Sequence, residues 1–334
     1  MSDFVFDNGN NGGILNIDPF GTPDPRIYTI TVENLLQHRG GWDRGIAGDH
    51  TYRETQIATA LGLPSPPGRL ATVRWIMGRP LQYDPGTTYA YSNIGFLLLG
   101  MIVEEVAGQS HDDFVHDSLF SPLGVSSHQI FVGRTFESDN DPREPWYNGN
   151  GFKHANVFYP DFDASLVVQG PYGSWDHEAR IGQGAWVANP LALLEYLDKY
   201  QVNGDNIGGP RLPPGNWQWN HTGALSGTNT LARQRGDGIN YVVLFNKRPT
   251  YGSQYSSQIR GILDPIFDGI SNWPTDDVTT QLGDCNQDGV VNFLDIGPFI
   301  SILSVNGYLA EADVNEDGSV TFLDIGPFIA TLAS

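Results

Sequence analysis

The chain has 334 residues, with 18 Lys and Arg against 38 Asp and Glu, which gives a formal net charge of −20. This charge opposes association with nucleic acid and with anionic membrane surfaces, so neither is a predicted partner. The only cysteine, Cys285, cannot form an intramolecular disulfide, and no His or Cys spacing indicates a zinc site or another cofactor for catalysis. The longest apolar run, 94–103, is too short for a membrane-spanning helix, which needs roughly 20 residues, so membrane insertion is not predicted.

Composition divides the chain into two parts. The segment 274–281 is short, polar and without periodicity, and residues 282–334 behind it contain eight acidic residues and no Lys or Arg. Length also favours two domains, because single hydrophobic cores stop growing near roughly 250–300 residues. We therefore predict a large domain over 1–273, a linker over 274–281 and a small domain over 282–334.

The large domain combines predicted helices with late strands. Helices are predicted from capping residues and apolar periodicity over 31–38, 93–107, 110–120 and 190–200. Thr31, Ser110 and Asn189 are the predicted N-cap residues of three of them. His38 is interpreted as a residue that ends the first helix, where the helix dipole favours a charged imidazolium. Strands are predicted over 217–222, 228–233 and 239–245, so the expected fold class is α+β with an antiparallel sheet.

An internal repeat fills the small domain. The octapeptide Phe-Leu-Asp-Ile-Gly-Pro-Phe-Ile occurs at 293–300 and again at 322–329. Both copies place oxygen ligands at alternate positions of a loop with glycine at position 6, which is the EF-hand calcium scheme. We predict two bound Ca²⁺ ions, because eight carboxylates in so short a segment repel one another without cations. The predicted ligands are Asp284, Asn286, Asp288, the carbonyl of Val290, Asn292 and Asp295, and in the second loop Asp313, Asn315, Asp317, the carbonyl of Ser319, Thr321 and Asp324.

Each loop is followed by a single predicted helix and ends on Asp rather than Glu, so residues 282–334 resemble a type I dockerin. The resemblance implies a small all-α, EF-hand-like calcium domain that docks onto a cohesin-like domain of a scaffold or surface protein. It also implies an extracellular or cell-surface location, often in polysaccharide-degrading assemblies, although the N-terminus carries no recognisable signal peptide. Pro298 and Pro327 depart from the pattern, because proline within the expected helix kinks or delays it.

Two separated segments carry the chemistry of the large domain. Tyr91 and Asn93 lie two residues apart on the turn before the apolar helix, where both side chains can face one cleft. The sequence 221–224, His-Thr-Gly-Ala, enters a Gly-rich strand. Together with 30–41, 110–124 and 242–246, these segments resemble penicillin-binding and class C β-lactamase-like serine hydrolases. The resemblance covers most of residues 1–270 and implies an antiparallel sheet flanked by helices.

The resemblance also implies a role for each residue. Tyr91 would relay a proton between nucleophile and leaving group, and Asn93 would orient the substrate. The backbone N–H of Ala224 would form half of an oxyanion hole. His221, with Thr222 and Gly223, would line the substrate edge where many relatives carry lysine. Because an imidazole with a pKa near 6.5 replaces an ammonium group, carboxylate recognition should weaken above neutral pH, which favours an esterase or peptidase over a β-lactamase.

The Ser-x-x-Lys motif of this family is not found in the chain. The residues three positions before its three lysines are Asn150, Tyr196 and Leu244 rather than serine. We expect the nucleophile, with two strands, the central helix and any signal peptide, to belong to a segment preceding Met1. One hypothesis is a secreted serine hydrolase that cleaves small esters, amides or D-amino peptides through an acyl-enzyme. The other is a non-catalytic binding or scaffold-borne module with a calcium-dependent docking domain.

Overall fold

The computed structural model describes residues 3–149, 153–158, 167–203, 207–249, 254–273, 281–286 and 290–333. The chain forms two compact units, one of residues 1–140 and 145–257 and the other of residues 141–144 and 258–334. Most of the predicted linker 274–281 lies outside the described residues, so the domain boundaries stay a prediction. A mixed helix-and-sheet first unit and a helical C-terminal region confirm the predicted fold class.

The first unit contains helices that mostly precede its main sheet in the chain. Thr31 caps α1 through a hydrogen bond from the Asn34 N–H, as predicted, and Asn189 caps α7 through the Ala192 N–H. The helix predicted over 110–120 is α-helical only to Val115 and continues as a π-helical turn to Phe120. The described α-helices of the first unit are α1 (Val32–Leu36), α2 (Arg44–Ala47), α3 (Glu54–Leu61), α4 (Gly68–Met77), α5 (Asn93–Ala107), α6 (His111–Val115) and α7 (Pro190–Lys199). Helix α8 (Tyr255–Asp268) begins in the first unit and lies mostly in the second.

Three antiparallel sheets are described. The pairs β1 (Ile130–Val132) with β4 (Trp186–Ala188) and β2 (Lys153–Ala155) with β3 (Val167–Gln169) are short. The main sheet has the order β5 (Gln218–Leu225), β6 (Thr228–Arg235) and β7 (Asn240–Phe245). Its register places Thr222 opposite Leu231 and Ala224 opposite Asn229. All three predicted late strands are therefore present, and β5 is an edge strand among the described residues.

Helix α5 forms the centre of the largest hydrophobic core. It begins at Asn93 and ends at Ala107, as predicted, and Gly108 terminates it in the left-handed conformation. Ile94, Leu97, Leu98 and Ile102 are buried and pack in the core together with residues of the N-terminal segment, α1, α3 and α4. This burial fixes the position of the turn that precedes α5.

The C-terminal part of the second unit follows the sequence repeat. Each repeat forms a 3₁₀ turn, Phe293–Asp295 or Phe322–Asp324, followed by α9 (Ile296–Ser304) or α10 (Ile325–Leu332). Pro298 falls in the first turn of α9, where a backbone N–H has no intrahelical partner, so no helical hydrogen bond is lost. Phe299 and Phe328, from equivalent positions, stack with ring centroids 4.1 Å apart at an interplanar angle of 6°.

A close backbone contact between α5 and the loop before β4 requires two glycines. A Cβ at Gly100 would lie 2.8 Å from the Cα of Gly182, and a Cβ at Gly182 would lie 2.6 Å from the carbonyl oxygen of Phe96. Backbone atoms cannot move aside as a flexible side chain can. The contact therefore excludes any larger residue at either position.

We predict that Gly100→Ala lowers the thermal stability of the first unit. Overpacking costs about 1–3 kcal/mol, which exceeds the gain of about 1 kcal/mol from helix propensity. Gly261→Ala in α8 is the control for a glycine replaced within a helix, because a Cβ there meets no atom within 4 Å; Gly261 belongs to the second unit, so this variant should leave the melting of the first unit unchanged. Calorimetry of both variants tests this, and an unchanged melting temperature for Gly100→Ala would contradict it.

Candidate functional site

A cleft of about 1000 Å³ lies where α1, the turn before α5 and the edge strand β5 meet. Four of the predicted site residues line it, namely Tyr91, His221, Thr222 and Ala224. Tyr91 and this strand are separated by about 130 positions in sequence, so only the tertiary fold brings them together. Side chains from α1, from the residues that follow it and from α2 complete the wall, among them His38 and Arg44.

Tyr91 presents its ring to the cleft and is 41% exposed. The guanidinium of Arg44 lies over this ring, 4.5 Å from its centroid. Burial raises the pKa of the Tyr91 phenol, the positive charge of Arg44 opposes the rise, and Asp49 adds to it. The phenol is therefore protonated at neutral pH and has a proton available to donate.

The edge of β5 supplies the opposite wall. The N–H of Gly223 is turned toward β6, where it donates to Thr230 Oγ1 over 2.9 Å. Because backbone groups alternate in direction along an antiparallel strand, the N–H of Ala224 points away from β6, toward the open edge. Gly223 itself is held by a second hydrogen bond, from Asn229 Nδ2 to its carbonyl over 3.0 Å. The strand therefore offers a backbone donor at the cleft, as an oxyanion site requires.

His221 lines the cleft as a neutral side chain. Desolvation within the concave wall lowers the pKa of its imidazole below the ordinary value. At neutral pH it therefore carries no positive charge that could attract a carboxylate. Its neighbour Thr222 is also exposed and lines the same cleft.

Asn93 does not share the cleft with Tyr91, contrary to the expectation from their spacing. Its Nδ2 donates to Asp49 Oδ2 over 2.6 Å, and it borders a separate cavity of about 10 Å³ with Trp42 and His50. The reason is local, since Ser92 is extended whereas Asn93 is the first residue of α5. The change from extended to helical backbone turns the two side chains in different directions.

His38 is a cleft residue that the sequence interpretation assigned to the end of a helix. It adopts a left-handed backbone with φ of 53° and lines the cleft. Burial lowers the pKa of its imidazole, the hydrogen bond with the Ser92 main chain opposes this change, and His221 and Arg44 lower the pKa further, so the ring is neutral rather than the expected charged imidazolium. Arg44 was also missed, because nothing in its sequence context distinguishes it from other surface arginines. For His38, the resemblance of residues 30–41 to a segment of the serine hydrolases was the sequence signal that could have indicated a position at the site.

The second predicted calcium loop is organised around two acidic side chains. Asp313 Oδ1 accepts from the Asp317 N–H over 3.0 Å and its Oδ2 from the Gly318 N–H over 2.9 Å. Asp324 is fully buried and accepts from the N–H groups of Asn315 and Thr321. Burial raises the pKa of Asp313, and the neighbouring Asp324 adds to the rise.

The first loop repeats this pattern as far as it is described. Asp295 is fully buried and accepts from the Asn286 N–H over 2.9 Å and from the Asn292 N–H over 2.8 Å. Asp288 lies outside the described residues, whereas Asp284 is buried and Val290 is exposed.

Across the described ranges no three His, Cys, Asp or Glu side chains form a ready metal cluster. The predicted calcium ligands of the two loops also include side-chain amide and hydroxyl oxygens and backbone carbonyl oxygens. Buried carboxylates at the first and last loop positions, in a segment without Lys or Arg, fit a hard cation with oxygen ligands. The residues present therefore suit calcium. Asn292 and Thr321 are the N-cap residues of the 3₁₀ turns that follow the loops, and their side chains accept hydrogen bonds from main-chain N–H groups there.

The chain belongs to the beta-lactamase family, whose sequence profile matches residues 21–203. The dockerin type I domain profile matches residues 282–332. Both assignments agree with the resemblances found in the sequence. Among the described residues, none of the helices has the length and apolarity needed to cross a bilayer.

Similar proteins cover parts of this chain. A putative D-alanyl-D-alanine carboxypeptidase of Escherichia coli (strain K12) is 37% identical over 103 residues, 31% of this chain and 22% of that protein. A probable fimbrial assembly protein FimD, serogroup H1, of Dichelobacter nodosus is 35% identical over 152 residues, 44% of this chain and 34% of that protein. The chain thus spans about a fifth to a third of the length of these relatives. A D-stereospecific amidohydrolase from Streptomyces sp. aligns with a TM-score of 0.47 at 19% identity, over 78% of this chain and 77% of that one.

We predict that Arg44→Ala raises the phenol pKa of Tyr91 further, because the guanidinium over the ring is the charge that opposes the rise. Arg39→Ala is the matched control, since Arg39 also lines the cleft but has no such contact with the ring. The phenol titration can be followed by NMR of ¹³C-tyrosine, with Tyr91→Phe identifying the signal. An equal shift in both arginine variants would refute the assignment to Arg44.

Proposed function

We propose that the large domain is a β-lactamase-related hydrolase domain that binds small esters, amides or D-amino peptides in the cleft. The small domain tethers it, outside the cell, to a cohesin-like domain of a scaffold or surface protein. The observation that carries the proposal is the shared cleft of Tyr91 and the β5 edge, since these segments are distant in sequence. The family membership of residues 21–203 supports the same chemistry.

The proposed reaction passes through an acyl-enzyme. A serine oxygen forms a bond to the substrate carbonyl carbon, and the backbone N–H of Ala224 stabilises the oxyanion that develops. The protonated phenol of Tyr91 gives its proton to the leaving ester oxygen or amide nitrogen as that bond breaks, and it recovers a proton from the nucleophile. Water then releases the acyl group as a carboxylic acid. The reaction needs a serine and a base that no Ser-x-x-Lys of these 334 residues supplies.

The neutral state of His221 favours esters and amides over substrates that need a cation at the β5 edge to hold a carboxylate. His221 is neutral at neutral pH, so this edge offers hydrogen bonds rather than a fixed cation. The relative described as a putative D-alanyl-D-alanine carboxypeptidase supports including D-amino peptides in the substrate class.

A non-catalytic module is the second candidate. The observation in its favour is the residue three positions before each lysine, which is never a serine. In this case the cleft would bind a ligand of the same chemistry without cleaving it. The dockerin would then position a binding domain instead of an enzyme.

Covalent labelling distinguishes the two candidates. The product of the full reading frame, including any sequence encoded in frame upstream of Met1, is incubated with a fluorophosphonate, p-nitrophenyl acetate and a D-amino-acid amide, and its mass and the released products are measured. An adduct on a serine together with hydrolysis supports the hydrolase. Ligand binding at the cleft without adduct or hydrolysis favours the binding module, and the absence of both binding and hydrolysis refutes the proposed substrate class.

We expect Thr222→Ala to weaken binding of a D-amino-acid amide by about 2- to 13-fold, the equivalent of one hydrogen bond of about 0.5–1.5 kcal/mol. Thr59→Ala is the control, because Thr59 is exposed on α3 and does not line the cleft. NMR titration of the amides of Tyr91, Thr222 and Ala224 measures the affinity. Equal affinities of wild type and Thr222→Ala would remove Thr222 from the proposed site.

The proposed calcium requirement of the small domain can be tested by chelation. We expect EGTA to unfold residues 282–332, because the buried carboxylates Asp295 and Asp324 lose the cations that compensate them. The signals of the first unit should stay unchanged, and excess Ca²⁺ should restore the fold, whereas Mg²⁺ should restore it less well. Retention of helical circular dichroism and of the Phe299 and Phe328 NMR signals in EGTA would count against calcium-dependent folding.

A further inference from the structure

His38 makes hydrogen bonds to the main chain on both sides of Tyr91. Its carbonyl oxygen accepts from the Ala90 N–H over 2.9 Å, and its Nδ1 accepts from the Ser92 N–H over 3.3 Å. The residue before Tyr91 and the residue after it are therefore held by one amino acid. The Tyr91 turn cannot shift without breaking at least one of these bonds.

The His38 ring also packs around the same turn. Its centroid lies 4.6 Å from that of Tyr91 and 5.0 Å from that of Phe96, and Tyr89 meets it edge-on at 5.8 Å. Phe96 belongs to α5, so the imidazole joins Tyr91 to the first turn of that helix. A left-handed backbone at a residue other than glycine is uncommon, and here these contacts hold His38 at φ of 53°.

We propose that His38 is a positioning residue for Tyr91, and that it acts only while its Nδ1 is unprotonated. The importance of Tyr91 itself rests on the proposed function. An imidazole nitrogen that carries a proton is a donor and cannot accept a hydrogen bond from the Ser92 N–H. Protonation of His38 therefore removes one of the two bonds that hold the Tyr91 turn.

The surroundings of His38 favour the neutral ring. The charged or titratable groups around it are Arg44, His221, the phenols of Tyr89 and Tyr91, and, on the same cleft wall, Glu33 and Arg39. Burial lowers its pKa most and outweighs the hydrogen bond with the Ser92 main chain, which raises the pKa, while His221 and Arg44 lower it further. The turn is therefore held at neutral pH and is released as the pH falls through this lowered pKa.

Two substitutions separate the hydrogen bond from the charge. His38→Asn tolerates the left-handed backbone and places an amide oxygen, which does not titrate, near the position of Nδ1. His38→Ala removes the acceptor. Hydrogen exchange of the Ser92 amide in the full chain, measured by NMR from pH 8 to pH 4 and corrected for the intrinsic rate, reports the bond without requiring hydrolysis.

We expect wild type to lose Ser92 protection by about tenfold across the titration of His38. His38→Asn should keep its protection over the whole range, and His38→Ala should lack it at every pH. If His38 had a purely structural role, the protection of the Ser92 amide in wild type would not depend on pH in a way that His38→Asn abolishes. Protection in wild type that does not change with pH, or equal loss in His38→Asn and His38→Ala, would overturn the proposal.

A measurement on wild type alone covers the case in which His38→Ala does not fold. The ¹⁵N shifts of the imidazole should show an unprotonated Nδ1 and a titration below that of the exposed histidines. A protonated Nδ1 at neutral pH would overturn the proposal. Failure of the proposed function would appear separately, as absent ligand binding or labelling, with Ser92 protection unaffected.

Discussion

Burial of α5 is the constraint on which the cleft depends. Each fully buried leucine or isoleucine stabilises the folded state by about 1.5–3 kcal/mol, and α5 buries Ile94, Leu97, Leu98 and Ile102. Its sliding is further blocked at the close contact of Gly100 with Gly182. Since Tyr91 comes directly before Ser92, the N-cap of this helix, the position of the phenol follows from the packing of the core. The position of the Tyr91 phenol is thus fixed by the packing of α5 rather than by the turn to which Tyr91 belongs.

The other wall of the cleft depends on an edge strand. β5 pairs on one side with β6, and the hydrogen bonds of Gly223 to Thr230 and Asn229 fix which backbone groups face the pairing partner. The adjacent N–H of Ala224 then faces the open side as a consequence of strand geometry. A backbone donor placed in this way needs no particular side chain, which explains how alanine can occupy a functional position.

The parts of the structure that were predictable from sequence are those set by local patterns. The apolar run with Gly108 behind it defined α5 to the residue, and Thr31 and Asn189 marked helix starts through side chains that satisfy free N–H groups. The spacing of acids and glycine predicts the two loops of the small domain, and the second loop is described with Asp313 and Asp324 buried. These features depend on neighbours within a few residues, so periodicity and capping rules reach them.

The directions of individual side chains at the site were not predictable in this way. Asn93 turns to Asp49, 44 positions away, and His38 turns to the main chain around Tyr91, more than 50 positions away. Two-residue spacing gives a shared face only while the backbone stays extended, and here the helix begins between Tyr91 and Asn93. Such partners are decided by tertiary packing, which no window of the sequence contains.

The stacked rings of Phe299 and Phe328 tie the two sequence repeats of the small domain into one folding unit. Each repeat contributes the same aromatic side chain to a single small core, so neither copy possesses a hydrophobic interior of its own. The two copies of the 29-residue segment therefore form one folded domain together, rather than two independent loops. Damage to either half exposes the phenylalanine of the other, and both halves should be lost in a single cooperative transition.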